Sequence, residues 1–443
     1  MTESDAVVNQ VLLLGVAKQE INPPMEGREV VCPVKSPALG VESDLCARAM
    51  VFGVPEDDRP RAALVVLDTL YAHAEIAAAI RQAAATLVPA LAPESVMVAS
   101  THTHSAPPLR PFDMREHGWA GRIVLRRIGQ SGNIAQPDPE WVEKVISRAA
   151  LAVAQAWQSR GPVRAGIALT EARLGSNRRV VDADGKATNE WTDPEGRHTG
   201  FFDPNVRFVV FRDAGDGRVR AILSGYGCHP VTLGPRNVRP SPDYPGYLVR
   251  KLEAATGAEL AMHVTTGGAN INPRVCLKAT PEATRAMGET LADAVLASLD
   301  HALPLRVAPL VVATAPMELV LKTKLPIALV ELLAGRLSSP DQKTITSEVQ
   351  AIRLGDLVLV SAPGELFAEL VVTVENLSPL PHTLVVGHAN DALGYLFTDS
   401  AGREGGYEVL NGAASESIER PFLAAAMEAL NKVRAADGVA GIR

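Results

Sequence analysis

The chain is poor in cysteine. Its four, Cys32, Cys46, Cys228 and Cys276, lie far apart in 443 residues and never form a Cys-x-x-Cys pair. That excludes a disulfide-stapled scaffold and a zinc-finger pattern. A basic excess is also missing: 43 Lys+Arg stand against 50 Asp+Glu, a formal charge of −7, so no nucleic-acid partner is expected. No run reaches the ~20 apolar residues needed to cross a bilayer. The start, Met1-Thr-Glu-Ser-Asp5, is acidic where a secretory signal is basic. A cytoplasmic protein without stable membrane insertion is expected. The absence of internal repeats removes solenoids and arrays.

What is present is the balance of an ordinary globular chain, 47% apolar and 21% charged, at a length that suits a large buried core. Short β-branched runs alternate with alanine-rich stretches of helical period. Ala62–Leu67 and Ser95–Ser100 read as strands, and Ala74–Leu87 and Trp141–Ser159 as helices. Val206–Phe211 and Val219–Tyr226 read as a hairpin around Asp213-Ala-Gly-Asp-Gly217. Pro245–Thr256 and Pro281–Leu299 read as helices with proline in the first turn. Glu348–Arg353 and Leu357–Ser361 pair across a Gly355-Asp356 turn. Helices are expected over Glu365–Glu375 and Ser415–Val433. The pattern predicts an α/β (α+β layered) fold, mixed β-sheets flanked by helices. The long polar segments Ala106–Asp138 and Gly175–Asn205 read as lids or walls, or as insertions without structure.

Chemistry concentrates at strand ends. Ala99-Ser-Thr-His-Thr-His-Ser-Ala-Pro107 places His102 and His104 at i and i+2, so in extended backbone both rings share a face. Imidazole is the commonest zinc ligand, and two polar loop histidines are the plain alternative. His229, in Gly225-Tyr-Gly-Cys-His-Pro230, follows another strand and is either a surface ring or a third member of the same site. Glu365 closes Ser361-Ala-Pro-Gly-Glu365, where a helix N-terminus would favour its ionised form; a plain first-turn glutamate reads the same. Tyr395 and Tyr407, two of only six tyrosines, stand in a glycine-rich stretch, as site residues or as loop caps.

Together these motifs resemble the neutral/alkaline non-lysosomal ceramidase family, specifically its large catalytic domain. The likeness runs from Gly15-Val-Ala-Lys-Gln-Glu-Ile-Asn22 to the last helix and carries His-Thr-His-Ser-x-Pro, His-Pro, Pro-Gly-Glu and Gly-Tyr in the same order. It implies one catalytic domain over residues 1–443, without the family's C-terminal immunoglobulin-like domain. It also implies a single Zn2+ on His102, His229, Glu365 and Tyr395. His104 maps to a substrate-facing residue, Arg178 of Ser176-Asn-Arg-Arg179 to an active-site arginine, and Tyr407 to a second active-site tyrosine. Asp243 matches a family aspartate expected to hold a ring N–H or a loop.

The chain departs from the family at Thr265-Thr-Gly-Gly-Ala-Asn-Ile-Asn-Pro273, where Thr266 replaces the serine nucleophile. Thr266 is one candidate nucleophile. Zinc-activated water is the other, and it is the favoured one, with His104 shuttling protons. Arg178, Tyr407 and the N–H groups of Gly267 and Gly268 would stabilise the oxyanion. The substrate expected is a small polar amide or ester; Arg110, Arg115, Arg122, Arg126 and Arg127 read either as contacts to a polar or acidic substrate or as a solvated charged rim. The alternatives are a ceramidase-type N-acyl amidase on a lipid, a zinc lyase or isomerase, and an inactive ligand-binding homologue.

Overall fold

The computed structural model describes residues 10–24, 40–107, 109, 138–234, 237–277, 280–325, 333, 336, 337, 339, 342–414 and 417–438. The arginines at 110, 115, 122, 126 and 127 lie outside these.

Two sheets pack face to face. The wide one contains β1 (Leu12–Glu20), β2 (Cys46–Val54), β3 (Asp57–Leu67), β4 (Val96–Ser100), β5 (Gly161–Glu171), β6 (Asn205–Asp213), β7 (Val219–Tyr226) and β8 (Leu260–Thr265). Their order across the sheet is β8-β7-β6-β5-β1-β2-β3-β4. The two border pairs, β7/β8 and β3/β4, are parallel, and the inner neighbours are antiparallel. The narrow sheet is β9 (Leu310–Val320), β10 (Thr344–Leu354), β11 (Leu357–Ser361) and β12 (His382–Val386), with β11/β12 parallel.

Valine, leucine and isoleucine from the facing sides fill the space between the sheets, among them Leu64, Val209, Val264, Leu359 and Leu384. The outer faces are covered by helices whose apolar stripes are rich in alanine, which allows close approach. α1 (Ala74–Leu87) and α2 (Pro139–Gln158) cover one half of the wide sheet. α3 (Tyr244–Thr256) and α4 (Pro281–Ser298) cover the other half. α5 (Ala368–Leu377) and α6 (Glu419–Arg434) cover the narrow sheet. The layered α/β expectation is the architecture observed. No helix among the described residues is long and apolar enough to cross a membrane.

The wide sheet curls until its borders meet. Thr265 Oγ1 at the end of β8 donates to the Thr101 carbonyl beyond β4 at 2.8 Å. The segment Gly387–Asn390, which leaves β12, bonds to both borders. Gly387 N–H donates to Thr265 O, Ser100 N–H to His388 O, and Asn390 N–H to Val98 O. This joint requires left-handed backbone at His388 (φ 53) and Asn390 (φ 66), which costs energy in non-glycine residues and is sustained by the surrounding bonds. As a result, the C-terminal ends of β3, β4, β7, β8, β11 and β12 gather at one end of the molecule.

Two local expectations are corrected. Glu365 does not open a helix. It forms a two-residue strand, Glu365–Leu366, parallel to Tyr395–Leu396, and α5 begins only at Ala368. The last helix starts at Glu419 rather than near 415.

The core also carries a pH dependence. His263 is 2% exposed in β8, its Nδ1 lies 3.1 Å from Ser224 Oγ, and burial pushes its pKa down to about 3. A lowered histidine pKa means that below about 6.5 the unfolded chain takes a proton that the folded chain refuses. Stability contributed by neutral His263 is therefore complete above about 6.5 and drains away as pH falls toward 3, at about 1.4 kcal/mol per unit. Between pH 7 and pH 5 the loss is about 2 kcal/mol. His263→Phe should flatten the pH dependence of the urea midpoint by that amount, since the other histidines act alike in both proteins.

Candidate metal centre and active site

His102 and His104 leave the end of β4. The backbone at His102 is left-handed (φ 69), not extended as the i, i+2 spacing suggested, yet both rings enter the same cluster. His102 Nδ1 lies 2.7 Å from Leu70 O, and His229 Nδ1 lies 2.9 Å from Gly268 O. A carbonyl can only accept, so each Nδ1 carries the hydrogen and each Nε2 presents a lone pair. Those lone pairs face one another: Nε2 of His102 and of His229 are 3.0 Å apart, and Nε2 of His104 is 3.1 Å from that of His229. Burial, then the neighbouring imidazoles and Arg178, hold His229 well below the usual histidine range. Burial and His102 lower half-buried His104 to about 3. Both are neutral at neutral pH.

Glu365 completes the set. Its Oε1 accepts from the Tyr71 hydroxyl at 2.7 Å. Its buried Oε2 has no hydrogen-bond partner and stands 3.4 Å from His102 Nε2 and 3.9 Å from His229 Nε2. An orphaned carboxylate oxygen facing converging lone pairs is costly unless a cation lies among them. Ligand atoms of a tetrahedral zinc stand about 3.3 Å apart; here the separations given run from 3.0 to 3.9 Å, and the three ring nitrogens all lie within 4.8 Å of one another. His102, His104 and His229 therefore form a group able to hold a metal, with Glu365 beside it.

Arg178 is buried, and its charge reaches His104 and His229. Its Nε donates to Glu408 Oε1 at 2.8 Å, Nη1 to Asn272 Oδ1 at 3.1 Å, and Nη2 to the Tyr395 hydroxyl at 3.2 Å. Its guanidinium lies 5.0 Å from the Trp191 ring and 5.7 and 5.8 Å from the rings of Tyr395 and Tyr407. Burial raises the pKa of both tyrosines, and the charge of Glu365 adds to it, so both are held as phenols that can donate.

The remaining sequence expectations meet mixed outcomes in the geometry. Asp243 holds a loop and no ring. It accepts from Thr232 N–H, the Thr232 hydroxyl and Leu233 N–H, just beyond His229, and from Tyr244 N–H as the cap of α3. The ring N–H groups go to backbone carbonyls instead. Gly268, expected as an oxyanion donor, supplies one of those carbonyls, and Gly267 packs against Ala368 and Val371. Thr266 turns its Cγ2 toward Gly225 and its Oγ1 toward Gly227. Sequence reasoning missed Tyr71 and His388. The His388 ring stacks on His102 at 3.9 Å and 12°, and both its nitrogens are buried without partners. Each follows a parallel strand end within four residues, the same signal that singled out His102 and His229.

No protein-family model matches the chain, and no curated protein matches it in sequence. Solved structures do share its fold. Neutral ceramidase from Pseudomonas aeruginosa superposes with a TM-score of 0.75 at 18% identity, over 95% of this chain and 75% of that one. A structure described as ceramidase complexed with C2 gives 0.74 at 17% identity, over 96% and 75%. The ceramidase catalytic-domain fold implied by the sequence resemblance is the fold observed.

Proposed function

We propose that the chain is a zinc-dependent hydrolase that cleaves an amide C–N or ester bond of a small-molecule substrate with water as the nucleophile. The observation that carries this is the meeting of three imidazole nitrogens with the orphaned Glu365 Oε2. His102, His104, His229 and Glu365 would hold the ion on this geometry; the family resemblance instead makes Tyr395 the fourth ligand and leaves His104 facing the substrate. Bound zinc supplies Lewis acidity to the scissile carbonyl and to the attacking water. The chain's own groups do the rest. Leu70 O and Gly268 O fix the ring tautomers, Tyr71 orients the carboxylate, and Arg178 with the Tyr395 and Tyr407 hydroxyls offers donors to the developing oxyanion. The ceramidase fold favours an amide over an ester.

Water is preferred to Thr266 because a hydrolytic zinc site needs no acyl-enzyme, and the extra methyl of threonine crowds an attack. Thr266→Ala should retain kcat within about fivefold, since no bond-forming group is lost. Lost turnover with zinc still bound would instead make Thr266 the nucleophile. Substrate class is tested with zinc-loaded protein on N-acyl amino acids, N-acyl amines and a short-chain ceramide. Release of acid from the small polar amides is expected, preferential cleavage of ceramide would replace that substrate by a lipid, and no release from any compound would sink the hydrolase reading.

A further inference from the structure

Glu408 follows the active-site Tyr407, is fully buried, and belongs to none of the motifs above. Its two oxygens are divided. Oε1 accepts from Arg178 Nε at 2.8 Å and from Asn189 Nδ2 at 2.7 Å, while Oε2 accepts from Arg179 Nη1 at 2.8 Å. Arg179 is itself tied to Gly405 O and Glu404. The carboxylate is thus fixed by Arg179 and Asn189 whether or not Arg178 is there, and Arg178 meets it edge-on through one N–H instead of in a two-bond fork. A buried ion pair that served stability alone would gain most from the fork.

We infer that Glu408 is a positioning residue: it sets the roll of the Arg178 guanidinium so that the Nη2 edge meets the Tyr395 hydroxyl beside the imidazole cluster. The inference rests on the hydrolase reading for its kinetic consequence.

The test uses zinc-loaded Glu408→Gln, together with Glu408→Asp, which keeps the charge and withdraws it by one methylene. Both should bind the wild-type amount of zinc. Both should keep KM within about threefold and lose about 10- to 100-fold in kcat, the scale of a misplaced catalytic contact. In an Arg178→Lys background, Glu408→Gln should cost nothing further, because it acts through Arg178. A lowered Tm with unchanged kcat, or full additivity in the double variant, would overturn the proposal. Trp191 emission, measured by difference against Trp191→Phe, reports Arg178 without turnover, because the guanidinium lies 5.0 Å from that ring. Unchanged emission in Glu408→Gln overturns the positioning role whatever the activity. Shifted emission in a protein whose zinc-loaded wild type hydrolyses nothing supports the clamp and faults the hydrolase reading.

Discussion

His229→Ala is expected to fold, to lose its metal, and to lose at least about a thousandfold in kcat/KM. His229 touches both other imidazoles of the cluster, at 3.0 and 3.1 Å, so its removal leaves His102 and His104 without the ring between them. It also frees Gly268 O from the 2.9 Å contact that orients the ring. A metal supplies several kcal/mol of transition-state stabilisation, and at 1.36 kcal/mol per decade, 4 kcal/mol is about a thousandfold. Relieving the crowding of lone pairs offsets part of the cavity cost, so the metal-free variant should unfold at a denaturant midpoint close to that of the metal-free wild type. Metal analysis by mass spectrometry should fall from about one ion per chain to background. A variant that keeps its ion would break the proposed ligand set.

The second large effect is at Arg178. Arg178→Met should bind metal normally, lose about 10²–10³-fold in kcat, the scale of one oxyanion donor, and lose about 3 kcal/mol of stability, toward the lower end for a broken buried pair. Glu408 keeps Arg179 and Asn189 as partners, which limits the stability loss, while Tyr395 loses the one hydrogen bond its hydroxyl accepts from the guanidinium. Steady-state kinetics and urea unfolding separate the two losses. Unchanged kcat with lowered stability would assign Arg178 to structure alone.

The sequence exposed those parts of the site that are local. His102, His104 and His229 sit just past strands whose β-branched runs are readable, and their chemistry needs no further context. Glu365 was found, but its surroundings were not. Pro-Gly-Glu before an apolar stretch looks like a helix start, whereas the backbone pairs with Tyr395–Leu396, thirty residues on, and tertiary pairing outweighs local propensity. Asp243 was read as holding either a ring N–H or a loop, and it holds the loop at Thr232 and Leu233; two carbonyls take the rings, and a carbonyl leaves no trace in residue identity. Tyr71, beside Asp68, Thr69 and His73, and His388, beside Asn390 and Asp391, were passed over because nothing in their local sequence says that they meet His102. Their meaning comes from the curl of the wide sheet, which follows from its joint with the narrow one.

That joint has a consequence for how the protein comes into being. The three histidines of the cluster all precede residue 230, so a nascent or nicked chain ending before the narrow sheet would own them and the Thr265–Thr101 bond between the borders, yet lack the Gly387–Asn390 bridge, the His388 ring and Glu365. On the metal reading proposed above, ion capture would then wait for the last third of the polypeptide, and an incomplete product would stay inert.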